Sequence, residues 1–225
     1  MRPIEKGKNS KTFNQYQDAK GDLIDRLGQY CSYCERKLPV SLAVEHVQPK
    51  IPHPGLILKW ENFLLACVNC NSNKSAGDIR LQDYLWPDRD NTFLAFVYRE
   101  GGVISVNDKL DEKQKKCAQN ILDLTGLQKR PGIKDLKKSD LRWKQRLDAW
   151  DAAVVALNRL KRNDLEDLRE QIVETAYAGG HWSIWMTVFK DDSDMLNRFV
   201  EKFPGTCREC FEGAGAPISR KGGIV

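Results

Sequence analysis

Seven cysteines are the chain's densest chemical signal, and six of them fall in Cys-x-x-Cys pairs: Cys31/Cys34, Cys67/Cys70 and Cys207/Cys210. An odd count, with no apolar core in the opening MRPIEKGKNS, argues against a disulfide framework and for metal binding. The first two pairs supply four thiols, the number that a closed tetrahedral zinc site takes. Two-residue spacing lets both sulfurs of a pair reach one ion across a tight knuckle. Thirty-two residues separate the two pairs, more than a simple zinc ribbon holds, so the intervening segment must fold back as a unit. Cys207 and Cys210 lack a second pair. Cys117 would add one sulfur from a distant segment, and packing near the end of the C-terminal helix is the simpler expectation for the pair.

The segment between the two pairs contains Val44-Glu45-His46-Val47-Gln48-Pro49, then Trp60-Glu61-Asn62-Phe63-Leu64-Leu65-Ala66. It leads into Cys67-Val68-Asn69-Cys70-Asn71-Ser72-Asn73-Lys74. These residues resemble the HNH endonuclease motif, the ββα-metal nuclease fold in its zinc-braced form. The family pattern is a cysteine pair, an acidic residue and His at a strand end, and an Asn opening a helix. A second cysteine pair follows, then His or Asn, then Lys. Residues 29–76 carry every element in order, with Asn71 at the third motif letter and Glu45 where the family more often has Asp.

The resemblance implies His46 as general base, Glu45 and Asn71 as ligands of a catalytic divalent ion (Mg²⁺, or Mn²⁺), and Cys31, Cys34, Cys67 and Cys70 as zinc ligands. Asn62 is implied as a brace of the hairpin loop, and Lys74 as a contact to phosphate or a support of the loop. Physical chemistry agrees. Phosphodiester hydrolysis needs an activated water and a sink for charge on the phosphoryl oxygens. A neutral imidazole accepts the water's proton, while a carboxylate and an amide carbonyl are hard oxygen donors suited to Mg²⁺. Adjacent strand residues face opposite sides, so Glu45 and His46 share a site only if the strand ends or distorts there. Cys67, Cys70, Asn71 and Lys74 share one face if that segment is helical throughout. His53, between prolines, is expected to be exposed rather than to touch substrate, and His181 beside Trp182 to belong to the helical part.

The elements that must position these groups follow from periodicity. Phe13, Tyr16, Leu23, Ile24 and Leu27 stand at helical spacings before Gly28. Residues 42–47 read as a strand and residues 60–73 as helical turns. Residues 92–98 and 103–106, joined across Gly101-Gly102, read as a β-hairpin. From about Asp108 the pattern is helical, best in the stripe Leu147, Trp150, Val154, Leu157 and Leu160. Asn163 or Asp164 caps a following helix that carries Leu165, Leu168, Ile172 and Val173. A last helix with Leu196, Phe199 and Val200 stops at Pro204-Gly205, and the glycine-rich tail after Phe211 frays. The fold class is therefore α+β: an N-terminal helical arm (1–28), a zinc-braced HNH module (29–90), and a hairpin followed by an α-helical region (91–225).

At 41% hydrophobic and 30% charged residues, the chain can bury a core and is too polar for a membrane protein. The longest clean apolar run, 152–157, is six residues against the ~20 a membrane helix needs, and a cytoplasmic location is expected. The net charge of +5 is mild, but residues 127–146 hold eight Lys/Arg against two Asp. That stretch, with Trp143 inside it, is either a track for a phosphate backbone or a solvated helix face. The opening Met-Arg-Pro-Ile-Glu-Lys, Tyr30-Cys-Ser-Tyr-Cys-Glu35 and Phe203-Pro-Gly-Thr-Cys207 resemble the HNH subunits of Septu-type anti-phage systems, including those encoded with retrons. That resemblance implies nucleic acid as substrate, DNA before RNA, and an ABC-type ATPase partner docked on the helical half. The competing readings are a solitary HNH restriction nuclease or toxin, and a non-catalytic zinc module that only binds nucleic acid or protein.

Overall fold

The computed structural model describes residues 1–74, 77–213 and 215–225. It is a mixed α and β structure with a cysteine-rich N-terminal module and a helical C-terminal region. The arm ends in a short 3-10 turn and helix α1 (Ala19–Leu27), which buries Ala19, Leu23 and Leu27 and stops at Gly28 with a positive φ of 74°. The module follows as strand β1 (Leu42–His46), strand β2 (Phe63–Cys67) and helix α2 (Val68–Asn73). The strands are antiparallel, with Glu45 opposite Leu64 and His46 opposite Phe63.

Strand β2 corrects the expectation of helical turns over 60–73. Only Trp60–Asn62 forms a 3-10 turn, and all five residues of β2 are buried. A short apolar run covered on both faces has no alternation, so its period does not separate a buried strand from a buried helix. Pairing with β1 decides it. The shared helical face expected for Cys67 to Lys74 shrinks accordingly: Cys67 is the cap before α2, and Lys74 follows the helix with extended backbone.

Residues 92–98 are likewise not all strand. Asn91 accepts a hydrogen bond from the Phe93 amide at 3.2 Å and caps a single helical turn, α3 (Thr92–Ala95). Strand β3 (Phe96–Arg99) then pairs with β4 (Val103–Val106). The turn between them requires its glycines, since a Cβ on Gly102 would lie 2.5 Å from the Trp143 carbonyl oxygen. This close approach seats the start of a long helix on the hairpin.

The helical region comprises α4 (Glu112–Thr125), α5 (Arg142–Arg162), α6 (Glu166–Gly179), α7 (Trp182–Val188) and α8 (Ser193–Lys202). Helix α5 packs on α6 and α7, α6 on α8, and α4 reaches back to α2. Helix α6 begins with Leu165 at its cap position, because Asp164 is held instead by Arg169 at 2.7 Å. The tail does not fray as expected. It forms a two-residue ladder, β5 (Phe211–Glu212) with β6 (Ala216–Pro217), and Val225 is buried. The buried Asn91 amide donates to the carbonyls of Cys210 and Ile218 at 2.8 and 2.7 Å, locking the tail to the middle of the chain. The arm is tied down in the same way, with Cys207 donating to the Pro3 carbonyl at 3.0 Å and Glu5 to that of Gly205 at 2.7 Å. One hydrophobic cluster runs through arm, module and helices. No helix among the described residues is long and apolar enough to cross a membrane.

Candidate active site and metal centre

Cys31, Cys34, Cys67 and Cys70 converge, with their sulfurs all within 4.8 Å of one another and every residue buried. A Zn–S bond of about 2.3 Å puts the edge of a tetrathiolate tetrahedron near 3.8 Å. The Cys34 and Cys67 sulfurs are 3.7 Å apart. The Cys67 and Cys70 amides point at the sulfurs of Cys31 and Cys67, each at 3.4 Å, as donors to thiolate. Burial pushes the Cys31 and Cys70 thiols well above their ordinary range. A bound cation offsets that cost by keeping the sulfurs as thiolates, so the donor set fits zinc.

Two arginines complete this centre, and neither was singled out by spacing. Arg142, 1% exposed, donates from Nη1 to the Cys70 sulfur at 3.1 Å and pairs with Asp140 at 2.6 Å. Arg36 lies against Cys34 and Cys67, whose charge raises its pKa against the cost of burial. Two cations thus face what would be, with zinc bound, a doubly negative centre. Of the eight basic residues in 127–146, Arg142 and Arg146 are therefore internal. Arg146 donates to the carbonyls of Gly102 and Leu127, both at 2.9 Å. Lys134, Lys137, Lys138 and Lys144 remain exposed.

The second knuckle leads directly to the candidate active site. Glu45, His46, Asn71 and Lys74 line one open cleft of about 230 Å³ with Tyr16 and Lys50. β1 ends at His46, which is how adjacent strand residues come to serve the same hollow. His46 is 8% exposed, its ring edge-on to Tyr16 and Phe63 at 4.7 and 5.2 Å. Its Nε2 lies 2.9 Å from the Ile57 carbonyl oxygen. A carbonyl only accepts, so this hydrogen bond requires the proton on Nε2 and leaves the Nδ1 lone pair as the basic site. Burial lowers the His46 pKa, with the Ile57 carbonyl acting in the opposite sense, and the neutral ring prevails at pH 7.

Glu45 is almost fully buried. Its Oε2 accepts from the Tyr33 hydroxyl at 2.7 Å and its Oε1 from the Lys74 ammonium, which also donates to the His46 carbonyl. Burial lowers the Lys74 pKa while Glu45 opposes the shift, and burial with the neighbouring Glu45 keeps the Tyr33 phenol protonated. Two acceptor positions on the carboxylate are taken and about two remain. Glu45 and the exposed Asn71 thus offer hard oxygens in one cleft, a donor set that fits a divalent ion with water in its other positions.

Asn62 takes no place in the cleft lining. Its side chain accepts from the Gln48 amide at 2.8 Å and donates to the Gln48 and Leu56 carbonyls at 3.0 and 3.3 Å, pinning the loop that carries Ile57. His53 also lies outside the lining, 3.0 Å from Asp78. Cys117 and the pair Cys207/Cys210 are buried but do not converge with other ligands, and the cluster of four is the metal-competent group among the described residues.

His181 is buried at the start of α7 with left-handed backbone, its amide donating to the Glu35 carbonyl at 3.0 Å. Burial lowers its pKa from 6.5 to about 4, although the Glu35 carboxylate opposes this. The folded state thus stays neutral where the unfolded chain has taken a proton. His181 therefore costs no stability above pH 6.5 and progressively more as pH falls from 6.5 towards 4, reaching about 3 kcal/mol. Urea midpoints across that range are expected to fall more steeply for wild type than for His181→Gln.

The sequence reading gave Tyr16 only a place on the arm helix and Tyr33 only a place in the first knuckle, and it did not single out Lys50; none was assigned to the site. For Tyr33 the signal was its place between Cys31 and Cys34. Residues 31–77 match the HNH endonuclease family model. Septu protein PtuB of Bacillus thuringiensis is 32% identical over 71 residues, 30% of this chain and 28% of that protein. The chain therefore matches less than a third of the length of this curated relative. The HNH endonuclease domain and this relative support a nuclease role.

Proposed function

We propose that this chain is a metal-dependent HNH endonuclease that hydrolyses phosphodiester bonds of nucleic acid, DNA before RNA. The observation that carries this reading is the hydrogen bond from His46 Nε2 to the Ile57 carbonyl, which frees Nδ1 as a base in the cleft of Glu45 and Asn71. His46 takes the proton of the attacking water at Nδ1. Glu45 and Asn71 would hold Mg²⁺ or Mn²⁺, which when bound would supply Lewis-acid stabilisation of charge on the phosphoryl and leaving oxygens. Lys74, paired with Glu45 and bonded to the His46 carbonyl, holds the end of β1 closed. The tetracysteine zinc site is structural, holding the cap of the helix that presents Asn71.

We further propose that the nuclease is the effector of an anti-phage complex with an ABC-type ATPase, with or without a retron, acting in the cytoplasm. The likeness to Septu protein PtuB and the extent of the helical region beyond the matched domain support this. On this reading residues 91–225 are scaffold and docking surface. The test is incubation of the purified chain with plasmid, single-stranded DNA and RNA in Mg²⁺ or Mn²⁺, alone and co-expressed with a neighbouring ATPase. Metal-dependent cutting of DNA is expected, and it is expected to depend on the partner. Silence in every combination would favour a zinc module that binds without cutting.

A further inference from the structure

Glutamate carries one more rotatable bond than the aspartate more usual in this motif, so a Glu45 carboxylate at the end of β1 needs a restraint that a shorter acid does not. The structure supplies one from the core side. Tyr33 stands between Cys31 and Cys34 in the first knuckle, is 1% exposed, and does not line the cleft. Its hydroxyl meets Glu45 Oε2 at 2.7 Å. The knuckle is registered against the strand that pairs with β1. Ser32 donates to the Leu65 carbonyl at 2.8 Å, the Cys67 amide faces the Cys31 sulfur at 3.4 Å, and Glu45 stands opposite Leu64. Tyr33 and Glu45 are thus held in one frame by β2.

We propose that Tyr33 is a positioning residue for metal binding. The zinc knuckle, through this phenol, fixes the rotamer in which the Glu45 carboxylate offers its remaining lone pairs to a divalent cation. The inference rests on the reading of Glu45 and Asn71 as ligands, and it gives the zinc brace a second task beyond holding the helix of Asn71. A phenol that fixes one oxygen sets the direction of the other, because a carboxylate is planar. Loss of such a supporting hydrogen bond commonly costs metal sites ~10–100-fold in affinity.

Tyr33→Phe deletes the hydroxyl and keeps the ring. Mn²⁺ binding, followed by the electron paramagnetic resonance of the free ion, is measured on zinc-loaded protein in a His46→Ala background, where turnover does not interfere. The dissociation constant is expected to rise ~10-fold or more, with zinc content and circular dichroism unchanged. In the His46 chain, the rate against Mn²⁺ concentration is expected to shift by the same factor and reach the same plateau. Glu45→Asp supplies the second arm: the shortened carboxylate no longer reaches the phenol, so adding Tyr33→Phe there changes affinity less than about twofold. Equal loss in both backgrounds, loss of zinc, or unchanged Mn²⁺ affinity overturns the inference. A parent chain that binds zinc but no Mn²⁺ overturns it together with the ligand reading of Glu45 and Asn71. An intact parent site indifferent to Tyr33→Phe overturns it alone.

Discussion

His46→Ala is expected to lower the rate of phosphodiester cleavage by about 10²–10⁴-fold at saturating metal while leaving one zinc per chain and a nearly unchanged melting profile. Both halves of that expectation come from the same geometry. The ring sits at the end of β1, edge-on to Tyr16 and Phe63, and makes one hydrogen bond, to Ile57. Removing it opens the cleft floor to water rather than creating a sealed cavity, and one hydrogen bond contributes about 1 kcal/mol. The loop carrying Ile57 stays in place because Asn62, not His46, holds it. The chemical step loses the group that accepts the water's proton. Cleavage retained within a few-fold of wild type would remove His46 as the base. A fall accompanied by loss of zinc would mark a folding defect. His46→Gln serves as a control, since it keeps a polar side chain near Ile57 but offers no basic nitrogen.

What the sequence disclosed and what it withheld divide along a physical line. Cys31, Cys34, Cys67 and Cys70 were legible because a tetrathiolate demands one residue type at knuckle spacing, and the sulfurs do converge. Glu45, His46 and Asn71 were legible as a group through their order in a segment that resembles the HNH motif, and one cleft receives all three. The backbone between them was less legible. Phe63 to Cys67 carries no alternation, since both faces of β2 are buried, and only its partner β1 identifies it as a strand. Residues whose meaning depends on a distant partner left no pattern at all. Tyr33 reads as any aromatic residue until Glu45 lies 2.7 Å away. Arg142 reads as one cation of a basic run until Cys70, far away in sequence, proves to be its neighbour. The tail's glycines suggested fraying, and the Asn91 side chain that ties it down lies outside any local window.

The same long-range contacts enlarge the expected effect of removing one zinc ligand. Cys67→Ser is expected to abolish stoichiometric zinc and to unfold the HNH module. Structural zinc contributes about 10–16 kcal/mol of apparent binding energy in small zinc-finger peptides, and a whole domain's stability is only about 5–15 kcal/mol. Cys67 is also the cap residue of α2; a serine there can still cap the Cys70 amide through its hydroxyl, so the loss falls on the metal bond. The loss is expected to travel further than the module. With the tetrathiolate gone, Arg36 and Arg142 are left as buried or half-buried cations lacking the anion they face, and Asp140 alone remains to pair Arg142. An uncompensated internal charge strongly disfavours the state that buries it, so the first turn of α5 is expected to release and the hairpin seated on it to loosen. Zinc content by atomic emission, paired with far- and near-ultraviolet circular dichroism, reads both effects. Cys117→Ser, outside the cluster, is expected to keep zinc and the native spectrum. A Cys67→Ser chain that is metal-free yet natively folded would show that the four sulfurs pack as ordinary core thiols, and that Arg142 is held by Asp140 and the carbonyls of Thr125 and Gly126 alone.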